Sequence, residues 1–221
     1  MEALYKIMEN MDIKYIDYPV ASGKESVVFR AIMKNRAVAI KIFKISTIKF
    51  STLDIYIQGD RRFEKERRDR STRVTLWCRK EFTNLQAMRE VGISAPIPYG
   101  HYQNVLVMQY LGTASRPAPQ IKNYNGQMKR MFDLLMDDLR KMYQKAGLVH
   151  ADLSEYNVLV YRNKPYIIDV GQMVDIGHPS AELFLKRDIL NIVNFFRKKG
   201  IECKEEQIYG YIKGESIEPG N

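Results

Sequence analysis

Between Gly126 and Gly147 the chain reads GQMKRMFDLLMDDLRKMYQKAG, with Met128, Met131, Leu135, Leu139, Met142 and Ala146 on one stripe at helical spacing. Gly147 stands where a helix would stop. A stripe this continuous must bury itself against other elements, and the flanking text supplies them. After it comes LVHADLSEYNVLV, a polar turn between two apolar runs, then a turn at YRNK and the strand PYIIDVG. PSAELFLKRDILNIVNFFRKKG reads as a second long helix, with Pro179 suited to its first turn and Gly200 to its end.

The first third has another texture. VVFRAIM and RAVAIKIFKI are β-rich runs joined by the turn KNR, after a short helical or mixed lead-in over residues 1–18. LWCRKEFTNLQAMREVG has helical spacing, ISAPIPYG reads as a proline-punctuated connector, and HYQNVLVMQYLG as a turn and a buried strand. SRPAPQ is a rigid linker. The expected architecture is α+β and bilobal: a β-rich N-lobe over about residues 1–112, a linker over about 113–120 and a mainly helical C-lobe over about 121–221.

Residues 44–73 fit neither lobe. Asp60 to Arg73 holds seven basic and four acidic residues, too few apolar anchors for a core, so a solvated, mobile loop or a loose helix face is expected there, with mobility favoured. The functional alternative is a binding loop that orders on a partner. The net charge of +9 suits an anionic partner. Cys78 and Cys203 form no CxxC pair and no metal-ligand spacing. With no apolar run of about 18 residues and no signal-peptide pattern, neither a membrane span nor secretion is expected, and reduced thiols fit a cytoplasmic setting.

The chemistry is carried by a few residues. If the strands VLV and YII pair through the turn at Arg162–Lys164, Asn157 and Asp169 come close together at one open edge. Carboxylate and amide oxygens are the hard ligands that Mg²⁺ takes. Asp152, just before them, could accept a hydroxyl proton. Phosphoryl transfer also needs positive charge on the phosphates. Lys41, in the middle of an apolar strand, must snorkel or pair, and Glu81 on a helix is the natural partner. The competing reading makes Asp152 and Asn157 turn residues and Lys41 an edge-strand lysine.

H-A-D-L-S-E-Y-N, D-V-G, A-I-K and Glu81 stand in the order of the kinase signature, with departures. There is no GxGxxG, since ASGKESVVF keeps only Gly23, and no A-P-E follows D-V-G. The chain after D-V-G is expected to be too short for the usual activation loop and substrate-docking helices. The set resembles the RIO family of atypical protein kinases, on SGKES, LVHADLSEYNVLV, IIDVGQ and HPSAELFLKRDILNI. STLDIYIQGDRRF and LWCRKEFTNLQAM point to the branch without an N-terminal winged helix.

The resemblance implies a truncated kinase-like fold and an ATP- and Mg²⁺-dependent serine/threonine kinase or ATPase, with Mn²⁺ as a substitute metal. It makes Asp152 the catalytic aspartate and Asn157 and Asp169 the metal ligands, with Asp169 also a transient aspartyl-phosphate. Lys41 would contact the phosphates and pair with Glu81, and Ser22, Gly23, Lys24 and Ser26 would cover them. Gln109 and Leu111 would offer backbone groups to adenine, with Met108 beside it and Pro117 at the pocket's edge. His150 is expected to brace the loop by hydrogen bonding. Implied partners are the small ribosomal subunit precursor with its RNA and a protein serine substrate, with no membrane. Two alternatives are a small-molecule phosphotransferase of the aminoglycoside or choline kinase type, and a nucleotide-sensing assembly module without turnover.

Overall fold

The computed structural model describes residues 2–45, 50–63 and 70–215. Its N-terminal part is a five-stranded antiparallel sheet built from β1 (Ile13–Ser22), β2 (Ser26–Met33), β3 (Arg36–Phe43), β4 (Pro98–Tyr102) and β5 (Val105–Gln109), in the order β1-β2-β3-β5-β4. Side chains alternate between faces along a strand. Val38 and Ile40 therefore turn to one face, where they join Ala3 and Ile7 of helix α1 (Glu2–Asn10) in a small core. Lys41 and Phe43 turn to the other, toward helix α3 (Arg70–Glu90). That alternation explains how a lysine sits inside AVAIKIF without breaking the strand.

The C-terminal part packs α4 (Met128–Gln144), α5 (Ala181–Lys198) and α6 (Glu205–Lys213) around short strands: β6 (Leu148–Val149) with β9 (Val174–Asp175), and β7 (Val158–Tyr161) with β8 (Lys164–Ile167). Met131, Leu135, Leu139 and Met142 of the predicted stripe are buried in the main core with Ile189, Ile192 and Phe196 of α5. Past α4, Gly147 takes φ 65°, a left-handed turn that suits glycine. The connector after β5 is pinned rather than loose: Ala118 N–H donates to Leu111 O at 2.9 Å, and Pro119 O accepts Val160 N–H at 2.8 Å.

Three expectations are corrected and one element is added. The sheet begins at Ile13, within the stretch read as lead-in. ISAPIPYG contributes the edge strand β4, with a proline at its first residue, where no ladder N–H is needed. A sixth helix, α6, closes the C-terminal part. The dense charge run is not simply solvated: the described parts of residues 44–73 form α2 (Phe50–Ile57) and a turn in which Asp60 and Phe63 are buried, and α3 starts at Arg70. Charge pairing lets these residues enter the interior, which an apolar count cannot foresee. Residues 46–49 and 64–69 of that stretch lie outside the described residues.

Candidate active site

The cleft between the sheet and the C-terminal helices holds three charges in contact. Lys41 Nζ donates to both carboxylate oxygens of Glu81 at 2.8 Å and to Asp169 Oδ1 at 2.5 Å. Burial alone would pull the Lys41 ammonium down, but the Asp169 and Glu81 carboxylates outweigh it and its pKa is raised. Burial pushes the Glu81 carboxyl up against the pull of Lys41. The Asp169 carboxyl is held low, chiefly by the Lys41 charge, so it stays ionised.

Asp169 is set by the hairpin below it. Val158 pairs with Ile167, and Ile168 N–H donates to Asn157 O at 3.0 Å, so Asn157 and Asp169 flank the same open end of β7 and β8, as predicted. Asp169 itself adopts φ 61°, ψ 51°, a left-handed conformation that aspartate tolerates better than a branched residue. Two residues on, Gly171 leaves no room for a side chain: a Cβ there would stand 2.9 Å from Trp77 Nε1 and 3.2 Å from Glu81 Oε2. The glycine of D-V-G is thus required by the closeness of α3.

The loop carrying Asp152 is clamped from α5. The Asp188 carboxylate accepts Ala151 N–H at 2.7 Å and Leu153 N–H at 2.8 Å, and Asn191 Nδ2 donates to Leu153 O at 3.1 Å. The Arg187 guanidinium donates to Ala151 O. Burial raises the Asp188 carboxyl to about 7, against the pull of its two N–H donors. Asp152, between these held residues, is exposed. Although solvent reaches it, the cleft walls partly desolvate its carboxyl, which is raised first by that desolvation and then by the nearby Asp169 charge. Asn157 Nδ2 donates to Asp152 O at 2.8 Å, which leaves Oδ1 as the amide atom for a cation. His150 Nε2 donates to Ile168 O at 3.1 Å, the bracing expected of it.

A 310 Å³ cavity gathers Gly23, Lys24, Ser26, Lys41, Asp152 and Asp169, together with Glu25, Phe43, Trp77, Gly171 and Gln172. Ser22, Asn157, Met108, Gln109, Leu111 and Pro117 do not line it. Ser22 is exposed at the end of β1, paired with Val27. Met108 pairs with Ala39, two residues before Lys41 in β3. Gln109 N–H is engaged by Ile97 O at 2.7 Å, and Leu111 O by the Ala118 N–H, so neither group is open to a ligand. Pro117 bridges Gly112.

Among the described residues no three His, Cys, Asp or Glu converge to hold a metal. The oxygen pair Asn157 and Asp169 instead fits a hard cation that completes its shell with water and phosphate. The motif reading missed Asp188, Lys80, Asn84 and Asp60. Asp188 had a signal, a carboxylate within the apolar stripe LFLKRDILNIV.

Comparison with known proteins agrees with this geometry. The RIO domain matches residues 27–208. The chain is 50% identical over 187 residues to the RIO-type serine/threonine-protein kinase Rio1 of Thermoplasma acidophilum, covering 85% of this chain and 99% of that one. It is 40% identical over 201 residues to its namesake in Methanocaldococcus jannaschii, covering 90% and 69%. Among solved structures, the Rio2 kinase of Chaetomium thermophilum superposes with a TM-score of 0.72 at 22% identity, covering 98% of this chain and 68% of that one. A second, described as its ADP/Mg²⁺-phosphoaspartate complex, gives 0.68 at 22% identity, covering 98% and 67%. No helix among the described residues is long and apolar enough to cross a membrane. With the family matched across most of the chain and Lys41, Asp152 and Asp169 lining one cleft, the protein belongs to the RIO family of atypical serine/threonine-protein kinases.

Proposed function

We propose that the cleft binds Mg²⁺·ATP and transfers the γ-phosphate, as a serine/threonine protein kinase with ATPase activity that acts on precursors of the small ribosomal subunit. The observation that carries this reading is the contact of Lys41 with both Glu81 and Asp169 in the same cavity as Asp152. A fixed cation beside ionised oxygens is what a phosphoryl group and its counter-ion require.

In this reading Lys41 holds the phosphates and Glu81 keeps its ammonium in place. Gly23, Lys24 and Ser26 cover the phosphates from the β1–β2 turn, with Ser22 at its edge. Asn157 Oδ1 and Asp169 hold Mg²⁺, or Mn²⁺ in its place. When bound, the metal neutralises charge on the transferring phosphoryl group. Asp152 orients the attacking hydroxyl and accepts its proton. The Gln109 carbonyl and Leu111 N–H take the adenine edge, beside Met108 and Pro117.

Asp169, held ionised by Lys41, is also a nucleophile for the γ-phosphorus. Its oxygen forms the new bond, the bond to the β-phosphate oxygen breaks and ADP leaves. Water then attacks phosphorus, releasing inorganic phosphate and restoring the carboxylate. The Rio2 complex with phosphoaspartate supports this step. The ribosomal partner is supported by family membership and by the net charge of +9.

The test is transfer of label from [γ-³²P]ATP to the purified protein. Wild type should carry a hydroxylamine-labile phosphate that Asp169→Asn lacks, and should bind small-subunit particles less tightly as salt rises. A folded protein that binds nucleotide but neither labels nor releases phosphate would leave an assembly module without turnover.

A further inference from the structure

Behind the catalytic charges lies a second, buried polar network. One face of α3 meets the loop after Asp169 with four side chains: Trp77 and Glu81 against Gly171, Lys80 Nζ donating to Met173 O, and Asn84 Nδ2 donating to Val170 O at 2.7 Å. Residues three, four and seven apart share a helix face, so this is one surface reading one loop. Lys80 and Asn84 are both fully buried.

Neither is left alone, and what holds them comes from outside α3. Lys80 Nζ is 3.4 Å from Asp60 Oδ2 and lies over the Phe63 ring at 5.7 Å. Arg62 grips Asp60 with two nitrogens, Nε to Oδ1 at 2.9 Å and Nη2 to Oδ2 at 2.7 Å, and its Nη1 donates to Asn84 Oδ1 at 2.8 Å. That last bond fixes the Asn84 amide so that its nitrogen faces Val170 O. The segment bearing Asp60 is anchored in turn. His178 Nε2 donates to Ile55 O at 3.0 Å and Gln58 O at 2.8 Å, Tyr56 packs on Phe184, and Gly59 meets Pro179 so closely that a Cβ would stand 2.7 Å from its Cδ.

We propose that Asp60 and Arg62, in the segment following α2, are positioning residues for the Asp169 loop, acting through Lys80 and Asn84. The segment that the sequence presents as surface charge would then set how well Asp169 takes its metal. The proposal rests on the reading of Asp169 as a metal ligand. Burial draws the Lys80 ammonium down to about 7, and Asp60 is the carboxylate that opposes this.

The test compares Asp60→Asn, Arg62→Lys and the pair Asp60→Asn/Lys80→Met with wild type. Arg62→Lys keeps the charge but cannot bridge Asp60 and Asn84. Hydrogen exchange of the metal-free proteins should show amides of residues 168–174 exchanging about tenfold faster or more in each variant, with α4 and α5 unchanged. The Mg²⁺ concentration for half-maximal ATP turnover should rise about tenfold, with metal-free ADP affinity unchanged. The double variant should regain part of the thermal stability that Asp60→Asn loses, because the buried Lys80 ammonium no longer stands without its carboxylate, but not the metal dependence. Wild-type exchange and wild-type Mg²⁺ dependence in folded Asp60→Asn and Arg62→Lys would overturn the proposal. Absence of ATP turnover in wild type would defeat the functional reading instead, and the exchange data would still decide this one.

Discussion

Lys41 and Asp169, 128 residues apart in sequence, meet at 2.5 Å across the cleft. The contact couples the sheet to the loop that carries Asp169, and Glu81 on α3 makes it a three-way junction. Replacing Lys41 by Met leaves two carboxylates facing each other with no cation. Turnover should fall roughly 100–1,000-fold. Stability near neutral pH should fall by about 3–5 kcal/mol. Glu81, whose carboxyl burial already raises, would bind a proton more readily folded than unfolded, so the loss should be larger at pH 8 than at pH 5. Urea unfolding at the two pH values checks this.

Gly171→Ala should be costly although Ala is small. The new Cβ collides with the Trp77 ring and crowds Glu81, so α3 must move away from the loop. A stability loss of about 1–3 kcal/mol is expected. Because Glu81 holds Lys41, kcat should fall more than the affinity for ADP, which steady-state kinetics and ADP titration will separate.

Asp188→Ala removes the acceptor of two backbone N–H groups on either side of Asp152. Each orphaned donor costs about 1–3 kcal/mol. Misplacement of the Asp152 loop should lower kcat about 10–100-fold. The Michaelis constant for ATP should change little, since Asp188 does not line the cavity.

His150 predicts a pH effect on stability. Burial of the ring lowers its pKa to about 4 from 6.5, against the Ile168 O hydrogen bond and the Asp169 charge, and its buried Nδ1 has no partner for a second proton. The unfolded chain binds that proton more readily, so stability is lost as pH falls from 6.5 toward 4. Between pH 7 and pH 5 the loss should be about 2 kcal/mol. A folded His150→Asn variant should lack this component in paired denaturant titrations.

Lys41 was legible because a charge at a period-2 core position demands a partner, and Asp152, Asn157 and Asp169 because their hairpin could be drawn from the turn at Arg162–Lys164. Asp188 was missed although a lone carboxylate in an apolar stripe is a signal of the same kind. Asp60, Arg62 and Lys80 were not legible, because a mixed charge run looks the same whether it is solvated or paired inside. Only tertiary packing against Met173 and Asn84 decides that. β4 was obscured by Pro96 before it and Pro98 at its first residue, where an edge strand tolerates a proline.

The central claim is that Asp152 works on a phosphate that Lys41, Asn157 and Asp169 hold. The most direct measurement is phosphate release from Mg²⁺·ATP by Asp152→Asn, with ADP affinity recorded on the same sample. Turnover reduced about 100-fold or more with ADP affinity unchanged is the predicted result. A folded Asp152→Asn protein that turns over ATP at the wild-type rate would contradict it.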